Sequence, residues 1–444
     1  MIKPFFNLCL AILTAGSFYG HQAADGHLIT AEPIPGEDAL SGSYSIVVEG
    51  YDWGSAVSSA ILSLEQPVSE VSPEQFLVVE EKQSRENSSV DIFAPSGDLT
   101  ISRRTRTVTE AYLCNAEGDP TEEPSTYVTL EFQVGPNIGS PVCYHPDEQH
   151  YRWADPYRLV IELAPGKTIT SGRTQYSRLA VARTSTQRHM SYVDEFTTAR
   201  YSGIDHDLSY ASYAPQQDGS QHPLVIWLHG LGEGGTNPLM PLWGGKVSTF
   251  VEPEFQQLTG GAHVLVPQCP TFWLDDGTGA STTSGQSTYT QDLLSLIRYY
   301  ITTHPDVDPN RIYIGGCSNG GYMTLALLLE APELFAAAFP TCQAYQDSWL
   351  SDEDIQILKN IPLWFTHSEL DQVCPPGQST FPTVERLRAA GANNVHLIQL
   401  RDISVDSYRY NPHYAWIPVL NGQCSDPATG ESLFSWLTSQ TRSK

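Results

Sequence analysis

The sequence predicts a chain in two parts, an all-β sandwich followed by an α/β domain with a mostly parallel, doubly wound sheet. Three observations carry that expectation. The 444 residues exceed what one hydrophobic core usually supports, and 40% hydrophobic content with 10% aromatics is ample for two. Residues 28–186 show short period-two runs separated by Pro and Gly clusters, without a helical period of useful length. Beyond residue 192 strand-like and helix-like segments alternate, the pattern that the crossovers of a parallel sheet impose.

The chain opens on what reads as an export signal over residues 1–23. Lys3 supplies the charged start, residues 5–13 form a short apolar run, and small residues follow at Ala15, Gly16, Ser17, Ala23 and Ala24. The run is too short to span a bilayer, and no later segment is apolar for long enough. The mature protein is therefore expected to be secreted or periplasmic.

In residues 28–186, Val128, Leu130, Phe132 and Val134 share one face of the run 127–134, and Leu159, Ile161 and Leu163 share one face of 157–163. Similar runs occupy 44–48, 58–64, 76–80 and 100–112. Several such strands without crossover helices indicate an antiparallel sandwich of immunoglobulin-like type. Tyr51, Trp53, Tyr151 and Trp153 are expected in its core or at its edges, and an exposed row of them is what a polymer-binding surface would need. Asn87-Ser88-Ser89 forms a glycosylation sequon.

Loss of the signal removes Cys9 and leaves seven cysteines. In an oxidising compartment one disulfide is expected between Cys114 and Cys143, with up to two more among Cys269, Cys317, Cys342, Cys374 and Cys424, whose pairing spacing does not encode. No C-x-x-C or H-x-x-x-H spacing lies near them, so no metal site and no cofactor are expected.

The second part, residues 189–444, begins after a polar stretch at 184–188 that lacks periodicity. Residues 208–213 are expected as an antiparallel edge strand and 224–228 as a buried strand running into His229-Gly230-Leu231-Gly232-Glu233-Gly234-Gly235. Further strands are expected at 264–267, 311–314, 335–341, 362–366 and 395–400. Helices fit 288–303, with Leu293, Leu294, Ile297, Tyr300 and Ile301 inward, and also 352–359, 384–390 and 433–437.

Between the strand at 311–314 and an apolar helical pattern from Tyr322 lies Gly316-Cys317-Ser318-Asn319-Gly320. This is G-x-S-x-G in a strand–turn–helix context, the nucleophile elbow that exposes a serine hydroxyl at a helix N-terminus. Residues just after the strands of such a sheet converge on one rim, so candidates rank by position. Asp371 follows the strand at 362–366 and ranks ahead of Asp402 and Asp406, which follow the next strand, and His413 lies in the last loop before the terminal helix. The order Ser318, Asp371, His413 is the one α/β-hydrolases use. The serine needs a base near neutrality to take its proton, and His413 has that chemistry; Asp371 would hold the imidazole tautomer. The backbone N–H groups of Asn319 and Leu231 are the expected oxyanion donors. His229 and Glu233 are expected to brace the oxyanion loop, and His367 to order its own loop. Cys317 is expected in a bridge or in packing. Trp273 and Trp416 fit either pocket walls or core packing.

The motifs L-H-G-L-G-E-G-G, V-P-Q-C-P followed by Trp273, R-I-Y-I-G-G-C-S-N-G-G-Y, E-L-D-Q-V-C-P and H-Y-A-W occur here in that order. Together they resemble the secreted serine esterases related to polyhydroxybutyrate depolymerases and the predicted prolyl-oligopeptidase-like peptidases, some of which carry an N-terminal immunoglobulin-like domain. Tyr51-Asp52-Trp53-Gly54 is similar to that leading domain. The resemblance implies an α/β-hydrolase fold with the triad on Ser318, Asp371 and His413. Cys317 and Asn319 depart from the apolar residue and Met that many members carry, and Ser368 from the usual Gly.

The expected activity is hydrolysis of acyl esters through an acyl-enzyme: short-chain esters, acetyl or hydroxycinnamoyl esters on polysaccharide, or polyhydroxyalkanoate. The rival readings are a serine peptidase of prolyl-oligopeptidase type and a carbohydrate-binding or adhesive protein with an inactive hydrolase domain. A formal charge of −26 argues against nucleic acid and anionic membrane as partners, since like charges repel within a Debye length of roughly 8 Å. An ester substrate, polymeric or not, fits that charge.

Overall fold

The computed structural model describes residues 36, 38–85, 99–136, 138–145, 149–190, 193–405 and 408–442. The export signal, the sequon at Asn87 and Asp406 lie outside the described residues. The chain divides into two compact units, the second beginning with residues 149–150 and resuming at 193.

The two larger sheets of the first unit are built from β1 (Ala39–Tyr51), β2 (Gly54–Val68), β3 (Phe76–Arg85), β4 (Leu99–Arg106), β5 (Val108–Cys114), β6 (Ser125–Phe132), β7 (Tyr157–Leu163), β8 (Arg178–Val181) and β9 (Arg188–Met190). One sheet has the order β8-β1-β2-β6-β5, with β9 also on β1, and the other β4-β3-β7. Alternate residues decide the core: Tyr44, Ile46 and Val48 of β1, Leu62 of β2 and Val128 and Leu130 of β6 meet Val78 of β3 and Leu159 and Ile161 of β7. The run expected at 100–112 is two strands in different sheets, parted at Thr107.

Arg106 joins the layers. Its guanidinium donates to Glu80 Oε2 at 2.8 Å and to the Val57 carbonyl of the other sheet at 2.8 Å, and Tyr157 Oη donates to the same Glu80 oxygen at 3.0 Å. Pairing is what makes this buried charge tolerable.

All seven described cysteines are thiols, which corrects the expected Cys114–Cys143 bridge and the further bridges in the second unit. Cys114 accepts from the Thr129 hydroxyl at 3.2 Å within its own sheet, whereas Cys143 lies on the separate strand Val142–His145, with Sγ 3.8 Å from the Tyr144 carbonyl.

The second unit holds one sheet of eight strands: β10 (Thr197–Tyr201), β11 (Leu208–Tyr213), β12 (His222–Leu228), β13 (His263–Gln268), β14 (Val307–Cys317), β15 (Ala337–Thr341), β16 (Leu363–Ser368) and β17 (Val395–Leu400). Their order is β10-β11-β13-β12-β14-β15-β16-β17. β11 runs antiparallel to both its neighbours, β10 and β13, and the remaining pairs are parallel. β11 was expected at the edge; it is antiparallel but interior, because β10 covers its free side. Every residue of β12 is buried, as a strand covered on both faces requires. Flanking helices include α1 (Thr290–Thr303), α2 (Asn319–Glu330), α3 (Asp352–Leu358), α4 (Thr380–Ala389) and α5 (Leu433–Ser439). α1 buries Leu293, Leu294, Ile297 and Tyr300 on one stripe. The molecule is thus an α/β-hydrolase domain preceded by an immunoglobulin-like sandwich. Among the described residues no helix is long and apolar enough to cross a membrane.

Candidate active site

β14 runs straight into Ser318, whose backbone sits at φ 56°, ψ −112°, and α2 starts at the next residue. The helix begins three residues before the expected Tyr322 because Gly320 and Gly321 are helical here. Only glycine fits the approach: a Cβ on Gly316 would lie 2.6 Å from the Leu228 carbonyl oxygen, and one on Gly320 would collide with that same carbonyl. Ser318 is pinned by its N–H, which donates to Thr341 O at 3.0 Å, and by its carbonyl, which accepts from Tyr322 N at 3.0 Å. A serine held at positive φ stores strain that these contacts must hold in place.

Asp371 follows β16 and is fully buried. Its Oδ2 lies 2.7 Å from His413 Nδ1 and 3.2 Å from His367 Nε2, while Oδ1 accepts from Val373 N at 2.8 Å and Cys374 N at 3.0 Å. Burial pushes its carboxyl up, but the attraction of His413 and the hydrogen bonds from both imidazoles outweigh that and hold it well below the usual carboxylate range. His413 is itself fully buried; its backbone N–H donates to Asn411 Oδ1 at 2.9 Å and its ring lies edge-on to Trp416 at 5.6 Å. Ser318 joins the pair through Cys374, whose Sγ is 3.9 Å from Ser318 Oγ and whose N–H is already on Asp371. Asp371 and His413 thus meet beyond the strand ends, and Cys374 links the turn that holds Asp371 to Ser318.

The loop after β12 is braced from below. His229 Nδ1 faces the Gly230 carbonyl at 2.7 Å and its Nε2 accepts from Cys269 N at 3.0 Å, so the neutral tautomer with the proton on Nδ1 fits both. Burial lowers its pKa to about 4. Glu233 Oε2 accepts from Gly230 N at 2.8 Å, and a Cβ on Gly244 would overlap its other oxygen. Burial raises that carboxyl to about 8. Among the described residues, neither the Leu231 nor the Asn319 N–H donates to another protein group. The Asn319 side chain accepts from Trp273 N at 2.6 Å, which ties the elbow to the loop after β13.

Trp273 is fully buried against His229 and Tyr289, so it packs in the core instead of presenting a pocket wall. Trp416 is half-buried beside His413 and Tyr414. Cys317 is a buried thiol under Gly230, and Asp402 pairs with Arg409. Two partners escaped the sequence reading: the second imidazole on Asp371 and the thiol on Ser318. The four-residue spacing from His367 to Asp371 was the one available signal, and nothing in the sequence aims Cys374 at the serine.

Fold and site together define a serine hydrolase. Residues 43–175 match the esterase Ig-like N-terminal domain, and residues 279–354 match the prolyl oligopeptidase family. The crystal structure of a thermostable esterase is similar over 90% of this chain and 100% of that one, at 24% identity and a TM-score of 0.72, which shows a shared fold. The acylaminoacyl peptidase of Pyrococcus horikoshii is 18% identical over 70% of this chain and 53% of its own, with a TM-score of 0.36. No curated protein sequence matches. The chain is related to the prolyl-oligopeptidase-like hydrolases.

Proposed function

We propose that this protein is a serine carboxylesterase in which Ser318 is the nucleophile, His413 the general base and acid, and Asp371 the residue that orients and charges the base. The observation that carries the reading is the buried 2.7 Å contact of Asp371 with His413, taken with a serine held at φ 56° at the strand–helix turn. Ser318 Oγ attacks the ester carbonyl as its proton passes to His413. The alkoxide so formed is held by the N–H groups of Asn319 and Leu231, and loss of one such donor typically costs on the order of 10² to 10³ in rate. Collapse expels the alcohol, which takes the proton from His413, and leaves an acyl group on Ser318. Water, deprotonated by the same imidazole, then releases the acid. Asp371, ionised throughout, keeps the proton of neutral His413 on Nδ1 so that the other ring nitrogen can act as base.

The test is turnover of p-nitrophenyl acetate by the wild type and by Ser318→Ala, with peptide mapping of a fluorophosphonate label. The variant is expected to lose at least about 10³ in kcat. Equal rates, or a label on another residue, would remove the assignment. A panel of short-chain, acetyl-polysaccharide, hydroxycinnamoyl and polyhydroxyalkanoate esters then ranks substrates.

Peptide hydrolysis on the same machinery is the second reading, supported by the prolyl oligopeptidase match across the elbow. Cleavage of blocked dipeptide amides without ester turnover would favour it. Export is also part of the proposal, motivated by the charged and apolar opening of the chain. An N-terminal sequence of the purified native protein that still begins at Met1 would remove it.

A further inference from the structure

Asp371 Oδ2 serves two imidazoles at once, and this sharing has a consequence for the base. No lysine or arginine pairs with Asp371 among the described residues, so the imidazoles and two backbone N–H groups are its partners. His367, fully buried at the end of β16, directs Nε2 at two acceptors, Asp371 Oδ2 at 3.2 Å and the Cys374 carbonyl at 2.9 Å. That nitrogen must therefore carry a proton. Its Nδ1 lies 2.8 Å from Thr380 Oγ1, and Thr380 Oγ1 accepts from Gln343 Nε2 at 3.1 Å. Gln343 is fixed in turn, because its carbonyl oxygen accepts from the Tyr345 N–H. The donors run in one direction, from Gln343 through Thr380 and His367 to Asp371, and they set the tautomer without charging the ring.

We propose that His367 is a positioning residue that takes a share of Asp371 Oδ2 and so limits how strongly His413 holds its proton. The role rests on the reading of Ser318, Asp371 and His413 as the triad. An N–H on a carboxylate oxygen draws off part of its negative charge, leaving less to stabilise an imidazolium on the other side. A base that holds its proton too tightly is already protonated at working pH, and is a weaker acid toward the leaving alcohol. Beside the two imidazoles and the carboxylate lie the Cys374 carbonyl, the Thr380 hydroxyl, the Gln343 amide and the Cys342 thiol, whose pKa burial pushes up.

The experiment is the pH profile of kcat/KM for p-nitrophenyl acetate in the wild type, His367→Phe, His367→Gln and Thr380→Val. Removing the donor in His367→Phe is expected to move the acid limb to higher pH by about half to one unit, the scale of part of one hydrogen bond to a charged group. Thr380→Val, which leaves Nδ1 without its donor, moves it the same way by less. His367→Gln, whose amide N–H replaces Nε2–H, returns the limb toward wild type. A lower kcat with the limb unmoved in both His367→Phe and Thr380→Val, or a shift to lower pH, would overturn the role; should His367→Phe fail to fold, Thr380→Val decides. His413→Ala separates the two readings: if it hydrolyses at the wild-type rate the triad assignment falls, whereas if it is inactive and the limbs stay put, only the role of His367 falls.

Discussion

Glu233 carries a carboxyl into the loop after β12, where it accepts a hydrogen bond from Gly230 N and burial raises its pKa to about 8. In the unfolded chain a glutamate titrates near ~4.3. Between these values the folded protein keeps a proton that the unfolded one has released, so this residue's contribution is full at low pH and is lost as pH climbs toward 8. Glu233→Gln does not titrate. Its stability relative to wild type is expected to rise between pH 5 and 8, by about 2–4 kcal/mol in all, and to level off above. Thermal melts of the pair at a series of pH values check this, and a flat or falling difference would contradict it. The residues most legible from sequence were those whose position is set by place in the chain. Ser318 sits between a strand and a helix, and Asp371 and His413 follow strands in order. His367 lies in the strand that Asp371 and Cys374 follow, but which atoms His367 and Cys374 meet depends on α2, α4 and the turn after β15, whose approach no local pattern encodes.

At the scale of elements, period and length carried most of the fold. β12, β13, β15 and β16 were readable because strands buried on both faces are short apolar runs, and α1 because its stripe repeats at helical spacing. Errors cluster where tertiary pairing decides. The expectation puts β11 at the edge, yet β10, a strand of mostly exposed residues with little apolar signal, takes the edge instead. α2 began earlier than its apolar pattern because its first turn is glycine, chosen for the close approach of Leu228 and not for helix propensity. The run at 100–112 kept its period across a corner, so the sheet change at Thr107 left no mark. Trp273 belongs here too: its backbone is held by Asn319 and its ring by His229 and Tyr289, which makes it a brace for the elbow from the core side.

For the whole molecule the dominant electrostatic quantity is self-repulsion. The formal charge is −26, and the attractive pairs that offset it differ in their access to salt. Glu80 with Arg106 is buried, and Glu81 with Arg158 nearly so, which shields both from screening. Exposed pairs such as Arg200 with Asp207 and Arg178 with Asp38 are worth about 0–1 kcal/mol each and cannot balance an excess of this size. Going from about 0.01 M to about 0.15 M salt shortens the Debye length from ~30 Å to ~8 Å, which cuts repulsion across the surface more than it weakens contact pairs. The unfolding temperature at pH 7 is therefore expected to rise with sodium chloride over that range and then flatten. Repeating the titration at pH 5, close to the sequence pI of 4.7, should shrink the slope because the charge itself has fallen. A fall of the unfolding temperature with salt at pH 7 would mean that the surface pairs outrank the net charge, and that the acidic excess is spread too thinly to repel.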